Sequence, residues 1–169
     1  MRVGVLALQG AFREHVAVLA ALGHETVEVR GAEDVDGLDG IVLPGGESTA
    51  QARLLTPELA AALDALVASG APVLATCAGA ILASRRGWLD ADLERNAYGR
   101  QLHSAEAVAD DGTPLVLIRA PRFTRLGSSV EVLARLGDDP VLIRQGALVA
   151  ATFHPELTDD ARVHAGTFG

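Results

Sequence analysis

The sequence predicts an α/β fold built on a doubly wound mixed sheet with helices on both faces. Three observations lead to this fold class. Strand-length apolar runs recur along the chain, amphipathic stretches separate the first of them, and glycine or proline marks many junctions. Runs that are apolar at every position are typical of parallel strands buried on both faces. A chain of 169 residues, 49% of them hydrophobic, suffices for one core, so residues 1–169 are expected to form a single domain.

The first half alternates between predicted strands and helices, which is the order found in doubly wound sheets. The expected strands are residues 3–8, 26–29, 41–43 and 72–75, the expected helices are residues 12–20 and 57–69, and residues 34–40 are expected to form an acidic loop. Proline in its first turn and Gly70 just past its end support the second helix.

The second half contains shorter β-prone runs divided by turn residues, which predict antiparallel additions to the same sheet. These runs are residues 101–109, 115–118, 130–133, 141–144 and 148–153, and residues 159–167 are expected to form a short terminal helix. Ligands of such sheets bind beyond the carboxyl ends of the strands. Gln9, Gly10, residues 45–48 and Cys77 are all predicted to lie at that edge.

Composition excludes several classes of function. The net charge of −8 argues against nucleic-acid or anionic-membrane partners, and all 14 basic residues are arginine, which excludes lysine Schiff-base chemistry and a P-loop lysine. One cysteine cannot form an internal disulfide, so a reducing cytoplasm is expected. The first residues enter a strand directly and no apolar run has membrane-spanning length, so neither a signal peptide nor a membrane segment is expected. No cofactor and no metal site are predicted.

Cys77 lies where a buried strand changes into a helical pattern. Small residues surround it, with Ala75 before it and Ala78 and Gly79 after it, as in a nucleophile elbow. Unpaired N–H groups and the dipole at a helix N-terminus favour a thiolate. The alternative is a buried cysteine that only fills the core.

A thiolate nucleophile needs a base and a group that orients the base, and His154 and Glu156 can fill both roles. Pro155 disfavours helical backbone at His154, so we expect an extended segment in which the two side chains share a face. The alternative is a turn with both side chains in solvent. That alternative is preferred for the remaining histidines, which are His15, His24, His103 and His164.

Acyl chemistry also needs N–H donors for the oxyanion. The N–H of Ala78 follows the candidate nucleophile, and the glycine-rich segment 44–49, which includes Gly46, follows the preceding strand. We therefore expect Gly46 and Ala78 to supply the oxyanion donors. A glycine pair alone is weak support, because structural turns use such pairs often.

These pieces resemble the class I, triad-type glutamine amidotransferases, which have a flavodoxin-like fold. Longer strings resemble more specifically the glutaminase subunits of pyridoxal 5′-phosphate synthases, from residue 3 to about residue 163. The strings are LQGAFREH at 8–15, LPGGEST at 43–49, TCAG at 76–79, ERNAYGRQ at 94–101, IRAP at 118–121 and FHPELT at 153–158.

The resemblance implies that Cys77 attacks the side-chain amide of glutamine, that His154 protonates the departing ammonia, and that Glu156 completes a Cys-His-Glu triad. It implies that Gly46, Glu47, Ser48, Arg95, Ile118 and Arg119 lie against glutamine. Either arginine can bind the substrate carboxylate through a bidentate fork, and the sequence does not choose between them. A surface ion pair is the alternative for each. Arg122 and Arg125 are expected to be solvated loop charges.

The resemblance also implies a partner, a (β/α)₈-barrel synthase subunit in a hetero-oligomer, which uses the ammonia to make pyridoxal 5′-phosphate. The absence of lysine agrees with this division, because covalent sugar intermediates on lysine would then form on the other chain. The segment 8–15 is expected near the docking face, and the segment 83–94 is shorter than in relatives. Three other hypotheses remain open: the glutaminase of another synthase, a silent glutamine-binding regulatory subunit, and a redox-sensing or chaperone-like protein.

Overall fold

Seven strands form the main sheet in the order β2-β1-β3-β4-β11-β10-β9. The computed structural model describes residues 1–97 and 104–169. The strands are β1 Arg2–Leu6, β2 Glu25–Val29, β3 Gly40–Leu43, β4 Val73–Thr76, β5 Ala91–Glu94, β6 Ser104–Val108, β7 Pro114–Ile118, β8 Arg122–Leu126, β9 Glu131–Leu136, β10 Asp139–Gln145 and β11 Leu148–Ala151. The helices are α1 Phe12–Ala21, α2 Ser48–Leu54, α3 Pro57–Ala68, α4 Ala78–Arg85 and α5 Arg162–Phe168.

Alternate residues of the central strands point to opposite faces of this sheet and build two cores. Ile41 and Leu43 of β3 pack with α3 and α4 on one face, whereas Val42 packs with Leu19 of α1 and with α5 on the other. This period of two follows from the strand backbone. Helices therefore cover both faces, which confirms the predicted fold class. No helix in the described part of the chain is long and apolar enough to cross a membrane.

Three parts of the predicted strand pattern were wrong. β11 pairs in parallel with β4, so the last apolar run enters the centre of the sheet, and only β9 and β10 are antiparallel additions. The pairs β5–β8 and β6–β7 form separate two-stranded sheets. The strands β5 and β8 were not predicted, and neither was the helix α2. Their sequences are short or mix apolar and polar residues, so they show neither the strand period of two nor the helix period of 3.6.

Smaller differences concern the loops. A 3₁₀ helix, Ala32–Val35, includes the first two residues of the segment 34–40 that was predicted as a loop. The carboxylate of Asp34 accepts the N–H of Gly31 at the start of this helix. The terminal helix begins at Arg162, which agrees with the prediction to within a few residues. The predicted strand 101–109 and the string 94–101 partly lie outside the described residues, and His103 lies wholly outside them.

Candidate functional site

Cys77 lies between β4 and α4 with a positive φ of 47°, which a residue with a Cβ rarely adopts. Its N–H donates to the carbonyl of Ala151 at 2.8 Å, which fixes the end of β4 against β11. A Cβ on Gly79 would collide with the carbonyl of Leu43, so the small residue allows α4 to approach β3. This is the predicted elbow, with the strained backbone found at many functional sites.

His154 and Glu156 meet at the turn that follows β11. Nδ1 of His154 lies 2.7 Å from Oε1 of Glu156, and both residues are buried. The expected extended segment was wrong: His154 precedes a 3₁₀ helix, Pro155–Leu157, with Pro155 at its first position. Proline suits that position because the N–H it lacks has no acceptor there. The predicted outcome, an imidazole held by the carboxylate, is nevertheless what the turn produces.

The charge on His154 is controlled by its two neighbours. Burial alone would lower its pKa, but hydrogen bonds and negative charge from Cys77 and Glu156 outweigh burial and raise the pKa of His154 to about 10. A cationic imidazole beside a thiolate is the arrangement that keeps a cysteine nucleophile active.

The glycine-rich segment lies directly against this pair. A Cβ on Gly45 would approach Nδ1 of His154 to 2.8 Å, so no larger residue fits without moving the imidazole. The segment is held from the opposite side, where Ala11 N–H donates to Gly45 O at 3.1 Å and Glu47 N–H donates to Oε1 of Gln9 at 2.6 Å.

Gln51 of α2 adds a third attachment for the same segment. Its side-chain amide donates to the carbonyls of Pro44 and Gln9 at 2.9 and 3.2 Å. Within residues 1–97 and 104–169, the N–H groups of Gly46 and Ala78 donate to no protein acceptor. Both expected oxyanion donors are therefore available.

The predicted site residues surround one cavity of about 130 Å³. The lining contains every predicted substrate-binding and oxyanion residue, namely Gly46, Glu47, Ser48, Ala78, Arg95, Ile118 and Arg119, together with Cys77, Ile81, Asn96, Pro121 and His154. Glu156 lies behind His154 and contacts its ring from the far side. The structure thus brings together residues that five separate sequence segments supply.

The two candidate arginines differ in their partners. Arg95 lies 2.9 Å from Oε1 of Glu47 and 3.2 Å from the hydroxyl of Thr49. Glu47 also caps α2, and its pKa is lowered by hydrogen bonds from the N–H groups of Thr49 and Ala50 and from Arg95. Arg119 is exposed, has a positive φ of 46°, and forms no ion pair with any described residue. Arg95 is therefore already paired, whereas Arg119 has no ion-pair partner within residues 1–97 and 104–169.

The expectation for Arg122 and Arg125 was right about solvent, since both side chains are exposed, but wrong about the loop. Both lie on β8, where Arg122 pairs with Glu94 and Arg125 pairs with Asp90 and Asp92. These ion pairs connect β8 with β5 and its flanking residue Asp90, and none of their residues lines the cavity.

The expectation for His15 and His164 was also wrong, since both side chains are fully buried. His15 lies 3.3 Å from Oε2 of Glu156, and the two histidines are 2.8 Å apart. The sequence contained a usable signal: His15 shares a face of α1 with Leu19, four residues later, so the apolar period places it toward the core. Among the described residues, no three His, Cys, Asp or Glu side chains are arranged so that they could hold a metal ion.

Solved structures are similar over almost the whole chain. One, described as a glutamine amidotransferase, has a TM-score of 0.91 and 47% identity, covering 98% of this chain and 96% of that one. The structure of PurLQS from Thermotoga maritima has a TM-score of 0.76 at 18% identity, covering 98% of this chain and 96% of that one. At that identity it shows the fold alone.

Curated relatives are similar over the same length. The pyridoxal 5′-phosphate synthase subunit PdxT of Thermotoga maritima is 47% identical, covering 97% of this chain and 96% of the relative. The PdxT subunit of Pelotomaculum thermopropionicum is 48% identical, covering 97% and 92%. The model of the SNO glutamine amidotransferase family matches residues 5–168. This chain belongs to the SNO glutamine amidotransferase family.

Proposed function

We propose that this chain, acting as a single glutaminase domain over residues 1–169, hydrolyses glutamine to glutamate and ammonia with Cys77, His154 and Glu156 as its triad. The observation that carries the proposal is the location of the three groups: Cys77, with its strained backbone, and His154 line one cavity, and Oε1 of Glu156 lies 2.7 Å from Nδ1 of His154. Family membership supports the same reaction.

In the first half of the reaction, the thiolate of Cys77 attacks the carbonyl carbon of the glutamine side-chain amide. The carbonyl oxygen becomes an oxyanion, which the N–H groups of Gly46 and Ala78 stabilise; losing one such donor typically costs about 10²–10³ in rate. His154 then gives its proton to the nitrogen, the C–N bond breaks, and ammonia leaves a thioester on Cys77.

In the second half, His154 has lost its proton and acts as the base. It takes a proton from water, which attacks the thioester carbon through a second oxyanion. The C–S bond breaks, glutamate leaves, and the proton on His154 restores the original ion pair with the thiolate. Glu156 takes no part in these proton transfers, and its proposed role is to orient and stabilise the imidazole.

The remaining residues that line the cavity are proposed to bind and select glutamine. Arg119 is the better candidate for the α-carboxylate of glutamine, since its guanidinium is not engaged in an ion pair with any described residue. Arg95 lines the same cavity and is paired with Glu47. Ser48 is buried, lines the cavity, and its hydroxyl has no partner among the described residues, so it is proposed to bond the substrate.

The ammonia is proposed to pass to a pyridoxal 5′-phosphate synthase subunit, because the PdxT relatives carry that enzyme's name at about 47% identity. A chain without lysine leaves amine-based carbonyl chemistry to such a partner. A reducing compartment such as the cytoplasm would keep the thiol of Cys77 in its reduced form.

The test is glutamate release from glutamine by the wild type and by Cys77→Ala, each with and without a matching synthase subunit. Turnover that rises with the synthase and is lost in Cys77→Ala is expected. Calorimetry with glutamine on Cys77→Ala checks that the cavity is still formed. Binding of glutamine without release by the wild type, in the presence of the synthase, would contradict the glutaminase proposal and favour a silent regulatory subunit.

A further inference from the structure

A cluster of buried polar side chains lies behind the proposed triad, and the mechanism above leaves two of its histidines without a role. Nε2 of His15 lies 3.2 Å from the hydroxyl of Thr76 and 3.3 Å from Oε2 of Glu156. Nδ1 of His15 lies 2.8 Å from Nε2 of His164. The cluster joins α1, α5, the end of β4 and the turn that contains Glu156.

Both histidines are neutral at physiological pH. Burial, together with the neighbouring His164 and His154, lowers the pKa of His15 well below its ordinary value. Burial likewise lowers the pKa of His164 to about 4. The titratable groups near His15 are His164, His154 and Glu156. Each of the two rings carries a single N–H.

The position of that N–H follows from the neighbours. If Nε2–H of His164 donates to Nδ1 of His15, the hydrogen of His15 is on Nε2, where Thr76 and Glu156 supply oxygen acceptors. The reverse assignment would put a lone pair of His15 3.3 Å from a carboxylate oxygen, and the two would repel. The first assignment also leaves Nδ1 of His164 without a hydrogen, which agrees with its lack of a hydrogen-bond partner among the described residues.

Glu156 needs such a neighbour. Its Oε1 receives the hydrogen bond of His154, whereas Oε2 is buried and has no well-aligned hydrogen bond with any described residue. A carboxylate attached through one oxygen can rotate about its last bond and release the imidazole. An N–H dipole 3.3 Å from Oε2 opposes that rotation, because the burial of the site strengthens the attraction.

We propose that His15 is a positioning residue for the glutaminase reaction: its Nε2–H holds the carboxylate of Glu156 against His154, and His164 fixes the tautomer that makes this possible. This inference rests on the proposed function of the triad. Outer groups that orient metal-binding side chains typically affect activity by about 10–100-fold, and we expect an effect of the same order for this carboxylate. The contacts from His164 through His15 and Glu156 connect the helices α5 and α1 with the imidazole of His154.

The test uses His15→Leu, which removes both ring nitrogens, and His15→Gln, whose amide can return an N–H near the position of Nε2. His24→Leu is the matched control, since His24 is a partly buried histidine outside the cluster. Measurements are kcat and KM for glutamine with the synthase subunit present, the pH dependence of kcat/KM, and ¹⁵N NMR of the histidine rings.

His15→Leu is expected to lower kcat by about 10–100-fold with little change in KM, and to move the descending limb of kcat/KM to lower pH. His15→Gln is expected to restore part of kcat and part of the shift of the pH limb. NMR of the wild type is expected to show His15 as the neutral Nε2–H tautomer. An unchanged pH limb in His15→Leu, or a hydrogen on Nδ1 of His15, would overturn the proposal. The NMR result requires no turnover, so it decides this inference even if the wild type does not hydrolyse glutamine.

Discussion

Oε1 of Glu156 lies 2.7 Å from Nδ1 of His154, although only Pro155 separates the two residues in the chain. His154 precedes the short 3₁₀ turn in a non-helical conformation, and the turn places Glu156 beside the imidazole. Both side chains are buried, so the carboxylate acts on the imidazole with little screening from water. The negative charge of Glu156 is one of the causes that raise the pKa of His154.

Replacing Glu156 with glutamine should keep the shape of this contact and remove its charge. The pKa of His154 should fall, so the imidazolium partner of the thiolate is lost at lower pH and the descending limb of kcat/KM moves in the same direction. We expect kcat to fall by about 10²–10⁴-fold, as for carboxylate-to-amide changes in related triads.

The measurement is the pH profile of glutamine hydrolysis in the presence of the synthase subunit. Glu58→Gln, an exposed glutamate on α3, is the control and should behave as the wild type. If Glu156→Gln retains both kcat and the position of the limb, the carboxylate has no electrostatic role.

Gly45 is predicted to tolerate no side chain. In Gly45→Ala the new methyl group would lie 2.8 Å from Nδ1 of His154, so the imidazole must move out of line with Cys77. Displacements of about 1 Å at a catalytic group can cost about 10²-fold in rate, and we expect a loss of that order in kcat. Gly166→Ala is the control, because Gly166 has open space around it and lies in a helix, where alanine is favoured.

A circular dichroism melt separates this effect from a folding defect. Gly45→Ala is expected to keep the α/β spectrum, with reduced glutaminase activity at 25 °C. Full activity in Gly45→Ala would show that the imidazole is not held against the glycine segment as described.

The fold and most of the cavity lining could be predicted from sequence because both depend on local patterns. Buried strands read as unbroken apolar runs, and the carboxyl ends of parallel strands share one edge, so Cys77 and Gly46 could be placed together. Arg95, Ile118 and Arg119 were placed by family resemblance alone. All three line the cavity, and their contact with substrate stays a prediction.

Other features depend on contacts that no local pattern encodes. β11 pairs in parallel with β4, which lies more than 70 residues away in the chain. Arg125 looks like a loop charge until β5 supplies Asp90 and Asp92 as partners. His15 looks like a surface histidine because arginine and glutamate precede it, and only the packing of α1 shows that it faces Glu156.

Replacing Arg119 is predicted to raise KM for glutamine more than replacing Arg95 does. Arg119→Ala should raise KM for glutamine by about 10–100-fold, the value of a charged hydrogen bond of about 1.5–3 kcal/mol, with a smaller change in kcat. Arg95→Ala should act through Glu47, whose carboxylate loses one of its partners but keeps its bonds to Thr49 and Ala50. We therefore expect a smaller rise in KM.

Steady-state kinetics over a range of glutamine concentrations checks this order. Arg53→Ala, an exposed arginine on α2 outside the cavity lining, is the control. A larger KM effect for Arg95→Ala than for Arg119→Ala would assign the α-carboxylate to Arg95.

Acid should destabilise the fold through the buried histidines. The pKa of His164 is about 4 in the folded state, whereas the ordinary value of 6.5 applies to the unfolded chain. Between pH 4 and 6.5 the unfolded chain therefore binds more protons than the folded protein. Stability therefore falls as pH decreases from 6.5 to 4. This difference corresponds to about 3 kcal/mol for His164, and His15 adds a loss of the same sign because its pKa is also lowered.

His154 does not oppose this trend in the acid range. Its folded pKa is raised to about 10, so its contribution is complete below pH 6.5 and is lost only as pH rises from 6.5 toward 10. Urea unfolding between pH 4 and 7 measures the slope directly. His164→Leu should flatten the dependence of the free energy of unfolding on pH, whereas His24→Leu should leave it unchanged. A slope in His164→Leu as steep as that of the wild type would show that buried His164 does not control acid stability.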